Sequence, residues 1–253
     1  MFDPYFVTIA AIAVLIVGLS KAGLLGSLGM VGVPLLSLVM PARDAAGMML
    51  PVLLAMDIIA VWTYRKEVDW RIIRIMLPGA AIGTIAGWVL WSFVSDDAVL
   101  RFVGVVTLLF ILDAILPLRK KLEGLHPSKP WGVFWGGFAG FTSFISHTGG
   151  PPFQIYVLPQ RLSPAIYAGT TAVIFAIVNT AKLVPYFFLG QLNLHNLTLS
   201  ASLIPIGLFG VLIGVWLVRR ISMVWFYRIA YWLVFILSLY IIWKGATGLF
   251  GGA

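Results

Sequence analysis

The chain has 253 residues, of which 61% are apolar and 10% are charged. A soluble domain carries about 45–50% apolar and about 25% charged residues, so this apolar surface needs lipid to cover part of it. The sequence contains no cysteine, which excludes disulfides, a thiol nucleophile and thiolate metal ligands. The net charge is +8, but the basic residues lie in short loops between apolar stretches, which is typical of membrane proteins and argues against nucleic-acid binding.

Six apolar stretches have about the 20 residues that a helix needs to cross a bilayer. They are residues 44–64, 71–94, 98–117, 164–188, 196–218 and 224–247. The first apolar region of the chain follows Asp3 rather than a basic stretch, so we expect it to be retained and not cleaved as a signal peptide. These features predict an all-α polytopic membrane protein.

Two further apolar regions, residues 5–40 and 131–160, are interrupted. The first is broken by Gly23, Gly26, Gly29, Gly32 and Pro34, and the second by Ser146, His147, Thr148, Gly149, Gly150, Pro151 and Pro152. Only residues 35–40 and 153–158 follow the breaks, and at about 1.5 Å per residue neither piece crosses about 30 Å of hydrocarbon. Each region is therefore predicted to form a long helix, a turn inside the membrane and a short half-helix.

Matched spacings predict that the chain contains an internal repeat of two halves. Three ordered sets agree: Gly32 and Pro41 with Gly150 and Pro159; Gly47, Asp57 and Tyr64 with Gly169, Asn179 and Tyr186; and Pro78, Gly83 and Gly87 with Pro205, Gly210 and Gly214. We assign the first transmembrane repeat to residues 1–118, a basic cytoplasmic linker to 119–130 and the second repeat to 131–253.

The basic loops predict how the repeats are oriented. Lys and Arg gather in loops 65–74 and 119–129 and around the loop after residue 218, and such loops mark the cytoplasmic side. Stretches 44–64 and 164–188 then run in opposite directions, both chain ends lie outside, and the two repeats are inverted. Each repeat would contain a re-entrant helix pair plus three spanning helices. This layout is typical of secondary transporters, whose site lies near the midplane between the repeats.

The second break has the features of an anion site. Thr148 could cap the half-helix, Pro151 and Pro152 suit its first turn, and Gly149 and Gly150 let backbone approach a ligand. Free N–H groups and a positive helix end would result. The alternative is a kink packed against neighbouring helices.

The two breaks are predicted to face each other, so an anion could lie between them. The candidate binding residues of the breaks are Gly29, Gly32, Ser146, His147, Thr148, Gly149 and Gly150. Runs such as Pro78 to Gly87 are interpreted more simply, as close helix packing by small residues.

Ionisable residues within the apolar spans add further candidates. His147 could donate to an oxyanion or carry a coupling proton, because imidazole ordinarily has a pKa of about 6.5. It could equally be a buried hydrogen-bond donor. Asp57, which matches Asn179 in the repeat, is the second coupling candidate. Lys182 lies three residues after Asn179 on one helix face, so both are binding candidates, as is Lys21. Either lysine could instead extend to the lipid headgroups.

The sequence resembles the sulfite exporter TauE/SafE family of membrane transporters. The resemblance rests on the glycine-rich stretch from Gly18 to Pro34 and on Gly136 to Gly140 followed by Gly149 to Pro152. It implies export of sulfite, sulfonates or related organosulfur or carboxylate anions, whereas the spacings alone predict only an anion. We expect a multi-pass protein of the bacterial inner membrane, with the lipid bilayer and a small anion as partners and a homodimer left open.

Two other functions compete with a transporter. An ion channel would need a continuous pore with a ring of filter groups. An intramembrane hydrolase would use Ser146 or Ser143 with His147, but adjacent helical residues point about 100° apart, and no acid lies nearby to orient the histidine. We therefore expect no enzymatic activity, no cofactor and no metal.

Overall fold

The computed structural model describes residues 3–21, 28–91, 93–115 and 128–217, together with positions 239 and 243. Several predicted features lie outside the described residues. They are the span 224–247 apart from those two positions, loop 219–224, most of linker 119–130, and Gly23 and Gly26. The described residues are helical and contain no strand. The helices are α1 (Pro4–Leu19), α2 (Gly32–Leu36), α3 (Ala42–Tyr64), α4 (Trp70–Trp91), α5 (Asp96–Ile115), α6 (Lys129–Ser146), α7 (Gly150–Val157), α8 (Pro164–Phe188) and α9 (Leu194–Leu217).

The five predicted spans within the described residues correspond to α3, α4, α5, α8 and α9, and their ends agree within three residues. Helices α3, α4, α8 and α9 are long and apolar enough to cross a membrane. Polar caps fix several helix starts: the hydroxyls of Ser128 and Ser163 accept from backbone amides in the first turns of α6 and α8. The all-helical membrane fold predicted from the sequence is confirmed.

A short helix follows each predicted break. In the first, a 3₁₀ turn at Leu28–Val31 leads into α2. In the second, α6 ends at Ser146, His147 adopts a left-handed conformation with φ of 57°, and α7 begins at Gly150. Each short helix therefore begins near the proline that marked it in the sequence.

Helices α3 and α8, which are equivalent in the predicted repeat, pack against each other in opposite directions. Near the start of α3, a Cβ on Gly47 would lie 2.6 Å from the carbonyl oxygen of Gln191, just beyond the end of α8. Gly169, near the start of α8, packs closely against the backbone of Glu67, just beyond the end of α3. The equivalent pair is thus antiparallel, as inverted repeats require; inversion of the two halves as wholes stays a prediction.

Glycines allow two further helix pairs, α4 with α6 and α1 with α9, to approach closely. The predicted repeat matches α1 with α6 and α4 with α9, so it relates these two pairs to each other. A Cβ on Gly83 would overlap the carbonyl group of Gly137, and one on Gly210 would lie 2.9 Å from the carbonyl oxygen of Leu15 and 3.2 Å from the Cα of Gly18. The interpretation of these glycines as small residues for close helix packing is confirmed. The apolar core that these pairs enclose is centred on α3.

Candidate functional site

A cavity of about 80 Å³ lies where the two breaks meet α8. On this measure one water needs about 10–15 Å³, so the cavity has room for a small oxyanion. It is lined by Val17, Ser20, Lys21, Gly29, Met30, Leu53, Ser143, His147, Gly150, Tyr167, Ala168, Thr171, Ala172, Phe175 and Asn179. Of the predicted binding residues, the structure brings Lys21, Gly29, His147, Gly150 and Asn179 together in this lining.

Lys182 lies directly behind the lining and is fully buried. Its Nζ donates to the carbonyl oxygen of Ser143 at 2.9 Å, lies 3.1 Å from the Ser143 hydroxyl and lies 2.7 Å from Nδ1 of His147. Three acceptors match the three protons of an ammonium group. The lysine therefore does not extend to the headgroups, and among the described residues no carboxylate forms an ion pair with it.

The hydrogen bonds of His147 determine its tautomer. Nε2 lies 2.9 Å from the carbonyl oxygen of Ala46 on α3, and a carbonyl can only accept, so Nε2 carries a proton. Nδ1 faces the ammonium of Lys182, which can only donate, so Nδ1 accepts and the ring is neutral. Both ring nitrogens are thus held by protein partners, which matches the alternative that His147 is a buried hydrogen-bonding residue more closely than a free donor to a ligand.

A second polar group joins α1, α3 and α8. Lys21 forms an ion pair with Oδ1 of Asp57, and the side-chain amide of Asn179 donates to Oδ2 at 2.7 Å. Asp57 is 3% exposed and lies behind Lys21 and Asn179, which line the cavity. The matched positions of the predicted repeat, Asp57 and Asn179, are therefore in direct contact.

Two backbone donors at the start of α7 have no partner within the described part of the chain. Neither the amide of Gly149 nor that of Gly150 has an acceptor among the described residues, while Pro151 and Pro152 occupy the first turn as predicted. The prediction that Thr148 caps this helix is wrong: the N-cap position is Gly149, and no described side chain caps α7. The Thr148 hydroxyl instead bonds to the carbonyl oxygen of Thr142, because the turn around His147 directs it back toward α6.

Besides Lys182 and Asp57, four predicted residues are buried but do not line the cavity. Ser146 and Thr148 have their hydroxyls 2.8 Å apart and bond back to α6. A Cβ on Gly149 would lie 2.6 Å from the carbonyl oxygen of Ala139, and one on Gly32 would lie 2.6 Å from the side chain of Val17. These residues shape the two breaks from behind, while a role in binding stays a prediction.

Ser143 lines the cavity, although the sequence had suggested it only as a candidate nucleophile. The sequence alone did not indicate a binding role for Ser143, because a serine within an apolar helix often bonds only to its own backbone. Neither Ser143 nor Ser146 bonds to the ring of His147, since Ala46 and Lys182 occupy both nitrogens. Within the described part of the chain, no group of three or more His, Cys, Asp or Glu side chains could hold a metal ion.

A cavity between two interrupted helices, among helices long and apolar enough to cross a membrane, is an arrangement typical of membrane transporters. The family model Sulfite exporter TauE/SafE matches residues 10–241. The chain belongs to this family, as the resemblance in its glycine-rich segments had indicated. The family is one of membrane transporters, which agrees with the expectation of a non-enzymatic, multi-pass membrane protein. No curated protein and no solved structure matches the chain.

Proposed function

We propose that the chain is a secondary transporter that exports a small anion, such as sulfite, a sulfonate or a related organosulfur or carboxylate anion, across the bacterial inner membrane. The anion would bind in the cavity between the breaks that precede α2 and α7. The observation that carries the proposal is the fully buried ammonium of Lys182, which touches two lining residues and has no ion-pair partner among the described residues.

The electrostatics favour an anionic ligand. An isolated buried charge costs several kcal/mol because it loses its hydration, and ionisable residues inside membrane proteins commonly mark the substrate pathway. Asp57 forms its ion pair with Lys21, so Lys182 has no carboxylate partner of its own among the described residues. A bound anion would provide the missing negative charge.

The lining offers donors that suit an oxyanion. Lys21 and Asn179 bring side-chain N–H groups, and the backbone amide of Gly150 at the start of α7 has no acceptor among the described residues. Backbone amides at a helix start bind anions well because the helix dipole adds positive potential there. Apolar side chains, Leu53 and Phe175 among them, also line the cavity and lower its local dielectric constant, which strengthens these interactions.

Proton coupling is a separate part of the proposal. A ligand that engages Lys21 would compete with Asp57 for the ammonium, and the released carboxylate could then take up a proton. His147, whose ring is held at both nitrogens, would first have to lose one of those bonds. Asp57 is therefore the stronger coupling candidate.

The test is the thermal stability of the purified protein with sulfite, thiosulfate, sulfoacetate and simple carboxylates. A ligand at 100 times its dissociation constant should stabilise the protein by about 2.7 kcal/mol. The variant Lys66→Gln, which neutralises an exposed loop lysine, should behave as the wild type, whereas Lys182→Gln should lose the response. A panel in which no anion raises the melting temperature would overturn the proposal. In proteoliposomes, flux that saturates with concentration supports a transporter, and flux that stays linear supports a channel.

A further inference from the structure

We infer that the charge of Asp57 makes the cavity bind monoanions more tightly than dianions of similar size. The inference rests on the proposed function and deepens it, because it names the charge class of the substrate. It follows from the ionisable groups that surround the cavity and from their hydrogen bonds.

Three charged side chains lie at or directly behind the lining within the described residues. Lys21 and Lys182 bring two positive charges, and Asp57 brings one negative charge. His147 is neutral, because Nε2 donates to Ala46 and Nδ1 accepts from Lys182. Residues 22–27, between Lys21 and the first break, include no ionisable side chain in the sequence. Counted over the described residues, and with Lys182 protonated, the net charge around the cavity is therefore +1.

A monoanion brings this net charge to zero, whereas a dianion leaves one uncompensated negative charge in a buried site. One unit charge several ångströms from the ligand, at the effective dielectric constant of a protein interior, changes affinity about tenfold to a hundredfold. Both oxygens of Asp57 are held, one by Lys21 and one by Asn179. As long as these bonds hold, the carboxylate stays beside the cavity and disfavours the dianion without touching it.

The matched position Asn179 makes the inference testable by exchange. Asp57→Asn keeps the shape of the side chain and raises the net charge to +2. Asn179→Asp lowers it to zero. The double variant, with the two residues exchanged, returns the net charge to +1 and retains one carboxylate and one amide in contact at the same place.

The experiment measures the binding of methanesulfonate and sulfate to the purified full-length chain by calorimetry, because these two anions are similar in size and keep charges of −1 and −2 across neutral pH. Wild type should bind methanesulfonate at least about tenfold more tightly than sulfate. Asp57→Asn should remove or reverse this preference, Asn179→Asp should weaken both anions, and the exchanged double variant should restore the preference for methanesulfonate.

The outcomes separate the inference from the proposed function. Wild type that binds neither these anions nor sulfite contradicts the proposed function itself. Wild type that binds sulfate as tightly as methanesulfonate overturns the inference alone, and this measurement needs no variant to fold. Two results with folded variants also overturn the inference. One is an Asp57→Asn protein with an unchanged ratio of the two affinities, and the other is a double variant that does not recover the preference for methanesulfonate. Either result would mean that the charge of Asp57 does not set the preference.

Discussion

Lys182→Gln is the most direct perturbation of the candidate site, because it removes one charge and little else. The Nζ of Lys182 interacts with the Ser143 carbonyl at 2.9 Å, the Ser143 hydroxyl at 3.1 Å and His147 Nδ1 at 2.7 Å. A glutamine amide has two N–H donors and could keep two of these interactions. The substitution therefore separates the charge from its hydrogen bonds.

The expected magnitude follows from Coulomb's law. An anion in the cavity, one side chain away from Nζ, would lie about 6 Å from the charge, and at an effective dielectric constant of about 20 the interaction is worth about 3 kcal/mol. Its loss should weaken anion binding about a hundredfold. The free energy of unfolding should not fall by a similar amount, since the variant also removes a buried charge that loses several kcal/mol of hydration in the folded state.

Two measurements on purified wild type, Lys182→Gln and Lys66→Gln check these expectations. Calorimetric titration of sulfite gives the affinity, and a melting curve gives the stability. Lys66 is exposed on the loop after α3, so its substitution controls for a loss of one positive charge anywhere in the protein. The reasoning is refuted if Lys182→Gln folds and binds sulfite within about threefold of wild type. A lower melting temperature at unchanged affinity would assign the lysine a purely structural role.

Three further predictions follow from the same structure. Gly150→Leu should place a side chain in the cavity and abolish anion transport in proteoliposomes while the protein still inserts, and normal flux would contradict a ligand at this break. Gly83→Ala should lower the melting temperature, because its Cβ would overlap the carbonyl group of Gly137. Gly137→Ala should be tolerated, since its Cβ would lie 3.6 Å from the nearest atom. Equal effects of the two substitutions would contradict the packing argument. Cysteines at Ser128 and Ala253 should be labelled by an impermeant reagent from opposite sides of the membrane, and labelling from the same side would contradict the predicted topology.

Much of the fold was predictable because the physical constraints on a membrane helix are local. About 20 apolar residues, bounded by charged loops, define a span, and glycine or proline clusters define where a helix stops. The bounds of α8 were predicted to the residue, and the two short helices begin beside Pro34 and Pro151. These features depend only on the residues of each segment.

The contacts of the candidate site were less predictable because they join distant segments. The partners of Lys182 lie 35 and 39 residues earlier in the chain, and no spacing rule connects them. The left-handed conformation of His147 places its ring between α3 and α8, a position that depends on how the helices pack. The cap predicted for Thr148 failed for the same reason, since the hydroxyl of Ser146 and the carbonyl of Thr142 compete for it.

The predicted repeat gives a reason for the unequal charges around the cavity. Where two equivalent helices cross, equivalent residues meet, as Asp57 and Asn179 do. Two aspartates there would repel each other in a buried site, and two asparagines would leave Lys21 without its carboxylate. By the same spacing Lys182 matches Ala60, so the second half carries a buried ammonium where the first half carries a methyl group. In the predicted repeat, a single net positive charge therefore requires side chains that differ at these matched positions, and the proposed site with that charge is suited to one small anion.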